Sequence, residues 1–558
     1  MRKTTQSALG VLCLVFALAV SEARAQTITV TPADPVIAVN GTQQFIATGN
    51  LTPSLVSASG SHACALLADR TVRCWGYNQH GQLGDGTTTN ALTPVAVTGI
   101  TTAIAVSAGH HHTCALLADR TVECWGQNVY GQLGDGTVTD NRLVPVPVSG
   151  ITTAIAVTAG AYHNCALLAD GTVRCWGYNE FGELGDGTTV SSSTPVTVAA
   201  AAAPAAVTAG AYHTCALLPD GSVQCWGRND YGQLGDGSSS DSSTPVTVSG
   251  ITTATAVSAG GFHACARLHD STLRCWGHNI FGQLGDGSSL TYVISAEVLG
   301  FSPFYTSTVP PGSHSRTPVA VAGVSTATAV TAGGFHTCAS LSDGSAKCWG
   351  QNDYGQLGDG TTRASSTPTS VSGLDSGARI SAAAWHTCAL VPDRTVRCWG
   401  RNFAGELGNG TTTNSSTPLA VTGSGPVTWT SGDAAVATID AASGLATARS
   451  LGSATITATA NGVSGSTALR VVNRFTLSVV KEGTGSGTVS SSPPGISCGT
   501  DCSEGYLDGA VVTLAATPNR GSTFKGWTGG GCTGTGACTV TVTAGTTVIA
   551  SFGFGPSR

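Results

Sequence analysis

The stretch Cys64-Ala-Leu-Leu-Ala-Asp-Arg-Thr-Val-Arg-Cys-Trp-Gly76, CALLADRTVRCWG, sets two cysteines ten apart around a short polar turn. Near-copies begin at Cys114 (CALLADRTVECWG), Cys165 (CALLADGTVRCWG), Cys215 (CALLPDGSVQCWG), Cys265 (CARLHDSTLRCWG), Cys338 (CASLSDGSAKCWG) and Cys388 (CALVPDRTVRCWG). Reading Ala68-Asp69-Arg70 as a three-residue hairpin loop makes Leu66 face Val72 and Cys64 face Cys74. The third loop position is Gly171, Gly221 and Gly344 in other copies, which suits a left-handed bulge residue. Directly opposed residues on antiparallel strands lie about 4.5–5.5 Å apart at Cα, inside the disulfide range of roughly 4.4–6.8 Å. Each pair is therefore expected to staple one hairpin: Cys64 with Cys74, Cys114 with Cys124, Cys165 with Cys175, Cys215 with Cys225, Cys265 with Cys275, Cys338 with Cys348 and Cys388 with Cys398. A loop of about ten residues closed this way contributes on the order of 2–3 kcal/mol in the chain-entropy account. As a metal site the spacing is poor, since no second pair stands close by.

Successive first cysteines are 50, 51, 50, 50, 73 and 50 residues apart. A period near 50 with about four short strands per unit implies a propeller. One unit reads TPVAV (93–97), TAIAVSAG (102–109), HTCALL (112–117) and VECWG ending at Gly126, followed by the glycine-rich NVYGQLGDG. These segments are short, β-branched and punctuated by turn residues. The first copy has no Thr-Pro strand before it and the last has one after it, Thr417 to Val421. The expectation is that this orphan strand completes the first blade and locks the ring.

The pattern AG-x-x-HTCAL…DG-x-V-x-CWG-x-N-x-x-GQLGDG resembles the regulator of chromosome condensation repeat over about residues 55–423, with the cysteine pair resembling exported bacterial members. The family's eukaryotic founder is a nucleotide-exchange factor on chromatin, and one relative is a secreted bacterial inhibitor of β-lactamases. The repeat alone implies neither activity. Residues 26–52 (…TPA…GTQQFIATG) and 424–473 (…VTWTSGDAAVATIDAASGLATA…GSATITAT) together resemble one bacterial immunoglobulin-like group 2 domain, with the propeller inserted in a loop. Residues 475–553 resemble internalin B-repeats, carried by GTGSGTVSSSPPGISCGTDC and GAVVTLAATPNRGSTFKGWTGGGC. Short spacing there favours pairing Cys498 with Cys502 and Cys532 with Cys538. The fold class expected is all-β: a seven-bladed β-propeller, a discontinuous immunoglobulin-like sandwich and a small C-terminal β-rich domain.

Residues 1–25 read as a secretory signal, with Arg2 and Lys3, the apolar run Ala8–Val20 and the small-x-small site Ala23-Arg24-Ala25, so that Gln26 begins the exported chain. The run is too short for a membrane span. Cys13 lies within it, leaving 18 of the 19 cysteines, an even number that suits disulfides in an oxidising compartment. Taking Arg2, Lys3, Arg24 and Glu22 from the 25 basic and 31 acidic residues leaves 22 and 30, a net charge of −8. No basic run appears, which argues against nucleic-acid binding.

Candidate sites lie where the copies differ. The residue before each repeated histidine (His62, His112, His163, His213, His263, His336, His386) is Ser61, His111, Tyr162, Tyr212, Phe262, Phe335 or Trp385. A second variable position holds His80, Tyr130, Phe181, Tyr231, Phe281, Tyr354 and Ala404. Such aromatics either form a recognition rim or pack between blades. The 23-residue excess of the fifth copy, within 288–315, adds Tyr292, Phe301, Phe304 and Tyr305. The partner-binding candidates are these four with Tyr162, Tyr212, Phe262, Phe335 and Trp385. The invariant histidines are expected to be hydrogen-bonded within each blade, because sevenfold placement spreads them around the ring rather than converging four on a metal. The repeated tryptophans are expected to fill space between sheets. Asp85 and its equivalents suit turn chemistry before glycine better than calcium. There is no nucleophile elbow and no P-loop lysine, so no catalytic residue, metal or cofactor is expected. The reading is a secreted or cell-surface, monomeric, non-catalytic scaffold that binds an extracellular protein or glycan. The alternatives are an inhibitor of an extracellular enzyme such as a β-lactamase, and a carbohydrate-binding or hydrolytic module.

Overall fold

The computed structural model describes residues 28–48, 53–138, 141–199, 203–288, 313–374, 377–461, 463–499 and 501–555. The proposed signal segment and the insertion aromatics Tyr292, Phe301, Phe304 and Tyr305 lie outside these residues. Among the described residues every regular element is a strand. Residues 53–420 form seven four-stranded antiparallel sheets in chain order, the blades of a seven-bladed β-propeller. Blade one comprises Pro53–Ser59, His62–Leu67, Val72–Gly76 and Ala91–Ala96. The hairpin register is the one expected from the loop: Leu66 faces Val72 and Cys64 faces Cys74. Arg70 adopts φ +67°, as Gly171 (+83°), Gly221 (+82°) and Gly344 (+86°) do at the same place. Leu67 N–H bonds the Thr71 carbonyl at 2.9 Å.

The structure joins all seven cysteine pairs within their hairpins. Cys64 bonds Cys74 and Cys265 bonds Cys275, each with Cα atoms 4.0 Å apart. Cys114 bonds Cys124, Cys165 bonds Cys175, Cys215 bonds Cys225, Cys338 bonds Cys348 and Cys388 bonds Cys398, all at 4.1 Å between Cα atoms. The pairing is as expected, but the spacing is closer than the disulfide range used to expect it. It falls near the narrow, non-hydrogen-bonded pair of an antiparallel ladder, about 4.5 Å. Cys498 joins Cys502, and Cys532 joins Cys538.

The Thr-Pro segments are the outermost strands, and each belongs to the blade that precedes it in sequence. Cys74 faces Val95 and Gly76 faces Ala91, so the outer strand carries extra residues around Thr93-Pro94. Proline cannot donate to a ladder and is tolerated at such an edge bulge. Ser415–Ala420 likewise pairs with the last hairpin, Cys398 opposite Leu419. The expected strand exchange between the last and first blades is therefore wrong. Each unit simply begins with the strand that lines the axis rather than with the outer one. Val56 and Val421 still meet, in the apolar layer between blades one and seven.

Side chains close the ring. Each repeated tryptophan donates its indole N–H to a backbone carbonyl of the preceding blade: Trp125 to Gln82 (2.9 Å), Trp176 to Gln132 (3.0 Å), Trp226 to Glu183 (2.9 Å), Trp276 to Gln233 (2.9 Å), Trp349 to Gln283 (3.0 Å) and Trp399 to Gln356 (2.9 Å). Trp75 completes the circuit on Glu406 at 3.0 Å. Nearer the axis, a serine or threonine hydroxyl of each innermost strand accepts an N–H of the next blade, from Ala108 N to Ser57 (3.0 Å) around to Ala58 N to Ser381 (2.9 Å).

A third link is made by the repeated histidines, which reach the next blade rather than bonding within their own as expected, and it is incomplete. The Nε2 atoms of His62, His163, His263 and His336 lie 2.8 Å from the hydroxyls of Thr113, Thr214, Thr337 and Thr387, and His112 reaches Asn164 at 2.9 Å. Those hydroxyls donate onward to the carbonyls of Gln82, Glu183, Gln283 and Gln356, so the imidazole Nε2–H is the donor. Blades five and one carry Ala264 and Ala63 instead, and the Nε2 atoms of His213 and His386 have no protein partner.

Outside the propeller, strands that precede it in the sequence pair with strands that follow it. Val36–Ala38 runs parallel to residues 470–472, and Thr42–Gln44 runs antiparallel to residues 445–447. Ile28, Val30, Phe45, Trp429, Ile456 and Leu469 form their shared core. Residues 474–554 build a four-stranded and a three-stranded sheet around Leu477, Trp527 and Phe552.

The incomplete link can be mended. Ala63→Thr with Ala264→Thr restores the missing hydrogen bonds and should raise stability by about 0.5–1.5 kcal/mol per site, read as a higher midpoint in thermal unfolding. An unchanged or lower midpoint would refute the link. Burial holds the imidazoles of His62, His163, His263, His336 and His386 down to about 3 and those of His112 and His213 to about 4. The unfolded chain then binds more protons below its ordinary histidine pKa of about 6.5. Stability should be full above that pH and fall as pH drops toward 4, by on the order of 1.4 kcal/mol per pH unit for each histidine. A pH-independent melting temperature between pH 7 and 5 would contradict this.

Candidate functional site

The innermost strands end in small residues that line a narrow axial cavity: Ser59, Gly160, Ala209, Gly260, Ala332 and Gly333 are among them. Glycine is required there by closeness, since a Cβ on Gly160 would stand 2.3 Å from the Gly210 carbonyl oxygen. Two residues further along each chain segment comes the variable position, at the mouth of this cavity. Its side chains touch in series around the axis. Ring centroids lie 5.9 Å apart for Tyr162 and Tyr212, and 5.6 Å for Tyr212 and Phe262, Phe262 and Phe335, and Phe335 and Trp385. These separations suit favourable aromatic contact. His110 continues the series, 5.9 Å from Tyr162 and 4.1 Å from His111. Ser61 breaks it, so the belt is an open arc. All five large rings remain half-buried.

The second variable position stands outside the first and backs it. Tyr130 lies 5.6 Å from Tyr162, Phe181 6.2 Å from Tyr212, Tyr231 5.8 Å from Phe262, Phe281 5.6 Å from Phe335 and Tyr354 5.9 Å from Trp385. The two aromatic sets, separate in the sequence, form one surface. Those side chains bridge neighbouring blades, which is the packing that the sequence reading set against a recognition rim.

A third set is missed by the sequence reading. The residue after each CWG is Tyr77, Gln127, Tyr178, Arg228, His278, Gln351 or Arg401, and its variability is the available signal. Tyr178 lies 4.9 Å from Tyr130, and the Arg228 guanidinium sits 4.8 Å above Phe181 and 5.5 Å above Tyr212. Blades one and two supply a polar sector instead, with His80 4.9 Å from His111.

Loop chemistry fixes these positions. The Asn78 amide binds Asp85 and Thr87 while its oxygen accepts from Leu83 N at 2.9 Å. Asp85 accepts from Thr87 N at 3.0 Å, so the repeated aspartates are consumed in turns. Among the described residues no group of three or more His, Cys, Asp or Glu is arranged to hold a metal ion, and no helix is long and apolar enough to cross a membrane.

The loop glutamine Gln82 is glutamate in blades three and seven, Glu183 and Glu406. Both are fully buried. Glu406 Oε1 stands 3.7 Å from the Arg401 guanidinium. Burial, chiefly, pushes the Glu183 carboxyl up to about 8, with Asp241 and Glu180 adding like charge.

Seven such sheets, closed side by side, define a β-propeller built from one repeated unit. The chain belongs to the RCC1-like domain family, whose model matches residues 23–301, half of the chain. Regulator of chromosome condensation (RCC1) repeats match at 327–356, 378–406 and 343–390. A bacterial Ig-like domain (group 2) matches at 408–471 and a divergent InlB B-repeat domain at 477–554. Among solved structures, human WBSCR16 is 22% identical with a TM-score of 0.54, covering 63% of this chain and 94% of that one. Prp20p from Saccharomyces cerevisiae is 21% identical (TM-score 0.53; 66% and 87% covered). Yeast RCC1 (Prp20) bound to Kap60 is 18% identical (TM-score 0.55; 75% and 97%). These structures share the fold.

Glu183→Gln should stabilise the protein at neutral and higher pH. A carboxyl raised from about 4.5 to about 8 on folding supports the native state at low pH and loses that support as pH climbs through this window. The gain over wild type in thermal unfolding should therefore grow from pH 5 to pH 8. A constant difference would refute it.

Proposed function

We propose that the protein is a secreted or cell-surface, non-catalytic scaffold that binds an extracellular protein through the aromatic mouth of its propeller. The observation that carries this reading is the half-exposed arc from Tyr162 through Tyr212, Phe262 and Phe335 to Trp385. Rigid aromatic side chains give large contact area at little entropic cost and dominate binding surfaces. Ser61 and the histidine sector break the sevenfold symmetry, which gives a partner one rotational setting. The insertion belongs to the same reading. Asn279 N–H bonds the Ser313 carbonyl at 2.7 Å beside the Phe281 loop, and on that ground Tyr292, Phe301, Phe304 and Tyr305 are included in the proposal. In solved structures of this fold, Prp20p is described with its binding to Gsp1p and histones, and yeast RCC1 with Kap60 bound.

Export rests on the signal-like residues 1–25 and on nine disulfides among the described residues, bonds that persist in oxidising compartments. The Ig-like and B-repeat matches fit a surface setting. In this reading residues 26–52 and 424–473 form one sandwich that holds the propeller, 55–423, and residues 475–553 form a further module.

The test is affinity capture from the native secretome with the exported chain and with a Tyr162→Ser, Phe262→Ser, Trp385→Ser variant. Wild type should retain a protein partner, and the variant, folded by thermal unfolding, should lose it about tenfold or more. Equal capture by the variant would overturn the assignment, as would selective binding to glycans on an array without any protein partner.

A further inference from the structure

In blades two, five and seven the residue equivalent to Gln82 directs its free side-chain atom toward the residue five positions earlier, whereas Gln82 itself reaches His111 Nδ1 at 3.5 Å. In blade two Gln132 Nε2 donates to Gln127 Oε1 at 3.4 Å, and in blade five Gln283 Nε2 lies 2.7 Å from His278 Nδ1. In blade seven the atom is carboxylate Oε1 of Glu406, and the residue five earlier is Arg401, 3.7 Å away, an ion pair without a hydrogen bond. Charge there meets charge. Blade three has the carboxyl without the cation. Glu183 Oε2 accepts Phe181 N at 3.0 Å, while Oε1 has no partner on the protein, although the side chain is fully buried. The residue five earlier is Tyr178, whose hydroxyl is turned away to Glu180 at 2.9 Å. Gln233 and Gln356 leave an amide nitrogen similarly unpaired. An amide bears no charge, so that costs less than an unpaired carboxylate.

What surrounds Glu183 favours a cation. The rings of Tyr178, Phe181 and Tyr212 are 6.2–6.3 Å from one another in a triangle. The charged groups nearby are Glu180, Asp241, Asp230 and Arg228. Arg228 lies over Phe181 and Tyr212, 4.8 and 5.5 Å from their ring centroids, but its guanidinium is bound to Asp230, Nε donating at 2.9 Å, and makes no ion pair with Glu183; Asp241 accepts Asn229 N at 2.7 Å. The sector is acidic and aromatic, a combination that attracts ammonium and guanidinium groups.

We propose that Glu183 and the Tyr178–Phe181–Tyr212 triangle form a subsite for a basic side chain, arginine or lysine, of the bound protein. The subsite rests on the docking face proposed above and names the chemistry of its partner at one blade junction. The incoming cation takes the place that Arg401 holds beside Glu406. Entry requires Tyr178 or Tyr212 to yield, and the carboxyl gives up its proton as the pair forms.

The probe is acetyl-Gly-Arg-Gly-amide, with the neutral citrulline peptide as isostere, added to the full exported chain. Saturation-transfer NMR should show the arginine peptide bound and the citrulline peptide unbound. Glu183→Gln should weaken arginine-peptide binding by about tenfold or more, whereas Glu406→Gln should leave it unchanged. Glutamine is the residue of five sister blades, so that variant folds with the repeat's own side chain. Calorimetry at pH 7 in buffers of different ionisation enthalpy should show proton release on binding in wild type alone. Failure of the arginine peptide to bind, equal binding of both peptides, or undiminished binding by Glu183→Gln would overturn the subsite. Partner capture that is lost in the belt variant but kept in full by Glu183→Gln would leave the docking face standing and remove the subsite.

Discussion

An indole N–H that must find an acceptor in a dry interface holds this molecule together. Each repeated tryptophan is wholly buried between two blades, where an unpaired donor is costly. Its partner is the carbonyl that precedes Leu83 or an equivalent leucine, presented by the glycine-rich loop of the neighbouring blade. That loop must therefore be built to one shape, and the Asn78 amide and the Asp85 turn build it. The Gly84 position, at φ +68°, lies against the same indole: a Cβ there would stand 2.7 Å from Trp125 Nε1. One hydrogen bond thus explains why tryptophan, asparagine and glycine recur together in every copy, with aspartate or Asn409 at the turn.

The hairpins, the disulfide partners, the blade count and the flanking modules are legible in the sequence because each depends on local spacing or on long repeated strings. The hairpin needs only ten residues to fix Cys64 opposite Cys74. Closure is misread because it is a property of unit phase, and a periodic string has no marked origin. The hydroxyls of Ser57, Ser107 and Thr158 give no signal, since serine and threonine suit any exposed strand face and reveal their role only when a second blade is present. The aromatic arc is visible as variation, but its continuity depends on spacing around an axis that no linear pattern encodes.

Constancy and variation are divided by depth. Beneath the mouth, histidine and tryptophan repeat, and all seven tryptophans and five of the seven histidines serve two blades. At the mouth, the side chains need only reach a neighbour's ring, and Tyr, Phe, Trp, His and Ser are all used. Glu183 crosses this division. It occupies a structural position with a residue that burial disfavours, and perturbed carboxyls of this kind gather where a ligand is met.

Because every blade is drawn from one uninterrupted run of sequence, the junction between the last and first blades is chemically the same kind as the other six. Nothing in the ring marks where the chain begins. The circle could be opened at any boundary between units and its ends moved there, with the sandwich strands relocated to suit. Copies could be gained or lost by whole-unit recombination, with only the width of the axial opening changing.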